Sequence, residues 1–457
     1  MSGMIDAVVA HGLGAQYGDL PEEARKAVQT YLLDTLGVGI AGAAVPLTAR
    51  VRAAAGHWAD SGTAHVWGQN AIQTTPANAA FINGFQIHCQ EFDCVHEPAV
   101  VHPLATILSA LMAECDAQGG VSGPDLAMAM TVAVDLATGI GISVTSPIKF
   151  FRPANAGIFG ATLGVSRLRG FTPEQAKDAL GYALAFNSGT MQAHVEGKPA
   201  LPVQIGNAAR GAIMACDMAQ AGMPGPHDSL EGPFGYFALF EDEADPTEVI
   251  ASLGKVWRIA EVSHKPFPTG RAAQGGIVLM QKLRAQGVTP ENVEHIKLTA
   301  PPIIHRLVGR PIRPDMAVNY ARLCFQFSGA VALRTGNVGL TDFSEEALRD
   351  ADTYALGQRI EVVDDGSPDP AAFVPQVARA TLKDGGVVEA RIDALYGSPA
   401  DPMSEAAHLN KFRACVDFGF GTPRPDIADQ LITLTNNLEA VTDVRLLSRL
   451  AAGLEAK

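Results

Sequence analysis

The sequence predicts a mainly α protein: a large all-helical domain formed by residues 1–265 and 404–457, with a smaller α+β domain, residues 266–403, inserted between its two parts. Three observations predict it. From residue 20 to about 260, apolar residues recur at helical spacing between helix-start and helix-stop signals. After Lys265, β-branched runs replace that pattern, and from Ser404 helical spacing resumes. A chain of 457 residues exceeds one ordinary core. With 47% hydrophobic and 18% charged residues it reads as globular, with apolar surface left for a contact between subunits.

The elements follow in order. LPEEARKAVQTYLLDTLGVGIAG, residues 20–42, puts Pro21 at a first turn, sets Ala24, Ala27, Val28, Tyr31, Leu32 and Leu36 on one stripe, and ends in glycines. HPLATILSALMAEC, GPDLAMAMTVAVDLATGIG and GNAARGAIMACDMAQAGM are apolar nearly all round, as helices inside a bundle are. In FTPEQAKDALGYALAFNSG, Thr172 can cap, Gln175 can reach back, and Asn187-Ser188-Gly189 ends the run. Beyond Lys265, VEHIKLTAPPI, RIEVVDDGS and VARATLKDGGVVEARI read as strands, with a hairpin turn at Asp384-Gly385-Gly386. SEAAHLNKFRACVDFGF and the segment after Ile427 are helical again.

Bulk properties narrow the function. A formal net charge of -14 excludes a nucleic-acid backbone or an anionic membrane surface as partner. The N-terminal MSGMIDAVVAHGLGAQYG lacks the basic and apolar blocks of a secretory signal, which predicts a cytoplasmic protein. The longest apolar stretch, Leu126 to Val134, lies between Asp125 and Asp135 and is shorter than the ~20 residues a bilayer needs. Six cysteines without metal-ligand spacing predict free, buried thiols, with Cys94 singled out for its position among polar groups.

Four segments carry the candidate chemistry. QIHCQEFDCVHEPAVVHP, residues 86–103, gathers His88, Glu91, Asp93, His96, Glu97 and His102, and Pro98 and Pro103 force it out of a helix. A metal centre, hydrogen bonds that only fix the loop, and proton transfer all compete for it; the helical HExxH spacing is absent, and histidine beside a carboxylate is the usual proton-transfer apparatus. SPIKFFRPANAGIFGATLG offers Lys149 and Arg152 at a helix start, without a nucleotide phosphate loop. GTMQAHVEGKPALPVQIGNAARG places His194, Lys198 and Gln204 in an interrupted connection. EVSHKPFPTGRAAQGGI holds His264, Lys265 and Arg271 on a stiff turn where the helical pattern yields, and domain junctions favour pockets. Cations gathered in an acidic protein predict a small di- or tricarboxylate ligand.

The ordered series NGFQIHCQEFDCVHEPAVVHP, FRPANAGIFGATLGVSRLRGFTPEQAKDALGYA, GNAARGAIMACDMAQAGMPGP and SHKPFPTGRAAQGG resembles the MmgE/PrpD family over nearly the whole chain. That family includes 2-methylcitrate dehydratase, cis-aconitate decarboxylase and iminodisuccinate epimerase. The resemblance implies a homodimer, no metal, no organic cofactor, and a pocket between the domains. By position it makes Asp93, His102 and Lys265 the catalytic residues; from the cation-bearing segments themselves, His96, Arg152, Lys198, Gln204, His264 and Arg271 are expected to bind substrate. Three positions depart from the family: Arg152 and Gln204 each replace a common histidine, and Leu201 replaces a lysine. The decarboxylases' tyrosine falls near Leu307. These departures disfavour decarboxylation and leave dehydration and epimerisation as the expectations, beside a non-catalytic binding paralogue.

Overall fold

The computed structural model describes residues 3–58, 61–68, 72–369 and 372–455. It is mainly α. Helices Pro76–His88, Pro103–Gln118, Gly123–Ile142, Arg152–Leu168 and Ala200–Gln220 pack around one apolar core, and Glu22–Ala43 lies against Pro76–His88. Small residues allow the close approach. A methyl group on Gly42 would lie 2.0 Å from the Gln86 carbonyl oxygen, and one on Gly206 would lie 2.3 Å from that of Phe81. The 76–88 helix is thus clasped from two sides by glycine-bearing helices.

Phe412, Val416, Leu431, Leu447 and Leu450 belong to the same core as Leu32 and Leu36, so the C-terminal helices return to the helical bundle. Residues Phe267 to Leu395 build a second core. Its sheet runs in the order Ile360–Asp364, Val293–Ala300, Gln376–Leu382, Val387–Ile392, with the first pair parallel and the others antiparallel. The parallel pair needs a long crossover, supplied by the helical residues 302–357. Helices Arg271–Ala285 and Phe325–Thr335 cover the sheet. Gly385, with φ of 87°, turns the hairpin between the last two strands, and Leu382 N-H closes it on the Gly386 carbonyl.

The Thr172–Gln175 capping box forms as the sequence predicts. The stretch Leu126 to Val134 forms a buried helix as the sequence predicts: the 20-residue helix Gly123–Ile142 is long and apolar enough to cross a membrane, and its apolar window is 89% buried within the fold. Asp125 stands in its first turn and Asp135 accepts from Arg258 N-H, so both carboxylates are tolerated there. Two details differ from the sequence reading. Leu201, Pro202 and Gln204 lie in the helix Ala200–Gln220 and not in a connection, because proline is accepted in a first turn. A short ribbon pairing Ala64–His65 with Gln73–Thr74 had no sequence signal.

Candidate active site

Thr75 caps the 76–88 helix through Asn78 N-H, and Pro76 opens it. The helix ends on His88, and residues 89–102 return as an irregular loop to the helix beginning at Pro103. Pro103 keeps His102 out of the helical region, at φ −100° and ψ 78°. Two residues of this loop adopt left-handed backbone: Glu91 with φ 51° and Val100 with φ 52°. For a β-branched residue that conformation is strained, and strain of this kind concentrates at functional sites.

Surrounding cations hold the loop in place. Three successive carbonyls accept from three separate elements: Gln90 from Arg322, Glu91 from Lys265 at 3.3 Å, and Phe92 from Lys411 at 3.0 Å. Val95 and Ser263 exchange backbone bonds of 3.0 and 2.7 Å, which fastens the loop to the Ser263–Lys265 turn.

Asp93, fully buried, stands at the centre. His88 Nδ1 lies 3.0 Å from its Oδ2 and 3.2 Å from its Oδ1. His102 Nδ1 lies 3.2 Å from the same Oδ2, within ion-pair reach but without hydrogen-bond alignment. Lys265 Nζ donates to Glu91 Oε2 at 2.9 Å and lies 4.0 Å from Asp93 Oδ1. Glu91 Oε1 is 3.6 Å from His88 Nε2.

This packing separates the two histidines. Burial works against an imidazolium at both. At His88 the charges of Asp93 and Glu91 outweigh burial and raise its basicity. At His102 burial and the Lys265 ammonium prevail over Asp93, and its basicity is lowered. Burial would raise Asp93, but His88 and His102 hold its carboxyl well below the usual range. Glu91 is likewise lowered against burial, chiefly by Lys265, to about 2. His102 is therefore neutral near pH 7, with Nε2 on the side away from Asp93, and a carboxylate fixes its orientation.

His88 and His102 line one cavity with Glu91, Glu97, Arg152, His194 and Arg271, and its remaining walls are largely apolar. His194 is lowered to about 4 by burial and by Arg310, so a second neutral imidazole reaches the cavity from the short helix Gln192–Glu196. Arg152 clasps Glu241 through Nε at 3.1 Å and Nη2 at 3.2 Å. Arg271 donates to Glu97 at 2.7 Å, and its Nη1 meets the carbonyls of His264 and Tyr396 and the side chain of Gln274.

The remaining site residues predicted from sequence sit elsewhere. His96 spends Nε2 on Glu261 at 3.0 Å and Nδ1 on Ala99 N-H, so it fixes the loop. Gln204 is tied at both ends of its amide to the Thr190 backbone. Lys198 is exposed beside a neighbouring crevice that also touches His88 and Glu91. Lys149 pairs with Asp242 at the surface. His264 points into a separate buried group with His408, Asp34 and Lys411, where burial lowers it to about 3. Lys265, the next residue, reaches Glu91, and Arg271, at the start of the following helix, reaches the cavity lining. Cys94 is an unreactive thiol, pushed up by burial and by Asp34. Sequence reasoning left His88 and Glu91 among the polar residues of the segment without a role. It missed Arg322 and Glu241, which stand far away in sequence and carry no local signal.

Profiles of the MmgE/PrpD N-terminal domain and the MmgE/PrpD C-terminal domain match residues 9–249 and 267–434. The chain belongs to the MmgE/PrpD family. Curated relatives include the cis-aconitate decarboxylases of Mus musculus and Homo sapiens, each 27% identical over 98% of this chain and over 92% and 94% of their own lengths. The cis-aconitate decarboxylase of Aspergillus terreus is 26% identical over 62% of this chain and 60% of its own. These relatives are lyases acting on a tricarboxylate, and their names run against the expectation that disfavours a decarboxylase here. Arg152, Leu201 and Leu307, three of the positions at which the resemblance leads one to expect a departure, line the cavity, whereas Gln204 does not.

His88, Asp93 and His102 place three ligand atoms within 4.8 Å of one another, a spacing that a metal ion can use. The set also fits together without one: each histidine turns Nδ1 to the Asp93 carboxylate, and the Lys265 ammonium lies on its other side.

Proposed function

We propose that this protein is a lyase of the MmgE/PrpD family that moves a proton at a carbon beside a substrate carboxylate, with dehydration of a hydroxy acid as the overall reaction. One observation carries the reading: a single buried carboxylate, Asp93, lies between two cavity-lining histidines whose basicities are pushed in opposite directions. Pairs separated in this way divide into a base and an acid.

Neutral His102 takes the C-H proton on Nε2, and Asp93 stabilises the imidazolium that forms. The electron pair of that bond becomes the new carbon-carbon double bond. The hydroxyl on the adjacent carbon leaves as water with the proton supplied by His88, whose imidazolium Asp93 and Glu91 favour. Arg271 on the lining stabilises the negative charge that develops on the substrate carboxylate, and Lys265 supports the site from behind through Glu91 and Asp93. Both histidines flank one carboxylate, which suits elimination of a proton and a leaving group from neighbouring carbons.

Epimerisation of an amino diacid is the second reading, favoured by the neutral His194 that enters the cavity from another element. Neutral His194 would take the carbon-bound proton, and the His88 imidazolium would return one to the same carbon. A family decarboxylation fits less well where Leu201 and Leu307 stand on the lining. We also read residues 266–403 as an inserted α+β domain and the molecule as a homodimer, whose contact would cover exposed apolar side chains such as Phe234 and Leu239.

His102→Gln and Lys265→Met separate these roles from mere packing. Dehydration of hydroxy acids is expected to fall by about 10²–10⁴-fold in His102→Gln with a native circular-dichroism spectrum. Full activity in both folded variants would remove the assignment.

A further inference from the structure

A narrower crevice adjoins the cavity. His88, Glu91, Leu201 and Leu323 belong to the walls of both, whereas Lys198, Asn319 and Arg322 line the crevice alone. Its charges do not balance. Arg322 is buried, yet its guanidinium meets no carboxylate: Nη1 donates to the carbonyls of Gln90 and Pro268, the latter at 3.0 Å, and Nε is buried without a hydrogen-bond partner. Lys198 has no ion-pair partner among the described residues. Arg310 adds a further cation close by; it donates Nη2 to the His194 carbonyl at 3.1 Å and keeps Nη1 buried and unpartnered. Against these, Glu91 is the one acid on the crevice wall among the described residues, and the Lys265 ammonium already pairs with it at 2.9 Å.

Unbalanced cations in a crevice with apolar walls draw in an anion. A guanidinium with an unused edge and an ammonium beside it suit a carboxylate. The cavity carries a similar edge of its own, since Arg271 keeps a buried Nη2 without a partner. The two cationic stations are joined by the shared wall, on which the apolar Leu201 and Leu323 stand with His88, whose Nε2 is buried and makes no hydrogen bond.

We infer that the crevice is a second carboxylate subsite: Arg322 and Lys198 hold one carboxylate of a di- or tricarboxylate whose other end meets Arg271. The pairing of Arg271 with the reacting end rests on the proposed lyase reading; the anion preference of the crevice rests on its own charges. Arg322 and Lys198 therefore set specificity, because a monocarboxylate answers only one of the two stations.

Titration calorimetry on the full chain with propane-1,2,3-tricarboxylate, which has no hydroxyl to lose, tests the subsite apart from the chemistry. Lys198→Ala is expected to weaken binding about fivefold, as befits an exposed ammonium, and Arg322→Gln at least tenfold. Lys149→Ala, which removes a surface lysine paired with Asp242, is expected to stay within twofold of the wild type. Absence of binding to the wild type, unchanged affinity in Lys198→Ala, or an equal loss in Lys149→Ala overturns the inference. Arg322 also supports two carbonyls, so its variant counts only with a native circular-dichroism spectrum; the exposed Lys198 decides if it does not fold. Proton NMR in D2O with hydroxy di- and tricarboxylates keeps the two ideas apart. Weaker binding in Lys198→Ala without exchange of any acid by the wild type retains the subsite and rejects the lyase reading. Exchange by the wild type with an unchanged KM in Lys198→Ala retains the chemistry and rejects the subsite.

Discussion

At the scale of single residues, His102 serves as a base only while neutral and His88 serves as an acid only while protonated. Since His102 is lowered and His88 raised from the ordinary histidine value near 6.5, the active combination spans that value. The rate is expected to be flat around pH 6.5, to fall on the acid side as His102 gains a proton, and to fall on the alkaline side as His88 loses one. A pH profile of kcat/KM, which reports groups of the free enzyme, checks this, and His88→Gln is expected to lose the alkaline limb. Arg152 makes a different prediction. Because it clasps a buried Glu241, Arg152→Ala is expected to destabilise the fold by about 3–5 kcal/mol in urea unfolding, whatever it does to binding. The sequence singled out His102 and Lys265 because each precedes a proline that fixes where the backbone goes, and Asp93 because it shares the polar segment of His102. It could not say which way His264, His96 and Gln204 turn, and hydrogen bonds to His408, Glu261 and the Thr190 backbone took all three out of the cavity. Arg322 and Glu241 were invisible likewise because their partners lie 232 and 89 residues away.

At the scale of elements, the loop 89–102 gains its shape from its attachments and not from its own propensity. Val100 in the left-handed region opposes its branched side chain. Val100→Gly is expected to raise stability by up to about 1 kcal/mol in urea unfolding while lowering kcat, because the loop then loses a fixed wall of the cavity. The helix that presents His88 depends on close packing. Gly42→Ala would drive a methyl group into the Gln86 carbonyl, two residues before His88, and is expected to cost about 1–3 kcal/mol and to reduce activity. Caps, helix starts and the Asp384-Gly385-Gly386 hairpin were legible because local rules decide them. The reach of the helix Ala200–Gln220 back through Pro202 was not, since a proline that ends one helix can equally begin the next.

At the scale of the whole molecule, the site is assembled where two cores meet. Lys265 and Arg322 come from the segment that builds or borders the second core, Lys411 from the C-terminal helices, and all three converge on consecutive carbonyls of one loop from the helical bundle. The texture change after Lys265 and the return after Ser404 made the strands and the later helices legible, because a strand period and a helix period differ over long runs. The convergence itself needed the folded chain. Since charges of the protein itself satisfy the Asp93 group, prolonged dialysis against a chelator is expected to leave activity within about twofold of the untreated protein. The central claim is that His102 transfers a carbon-bound proton beside a carboxylate. Proton NMR in D2O, with hydroxy acids incubated with the wild-type protein and with His102→Gln, tests it most directly. The account predicts deuterium incorporation or loss of the C-H signal at one carbon for the wild type, slowed at least 100-fold in the variant. Equal rates in the two proteins, or no change in any acid with the wild type, would contradict it.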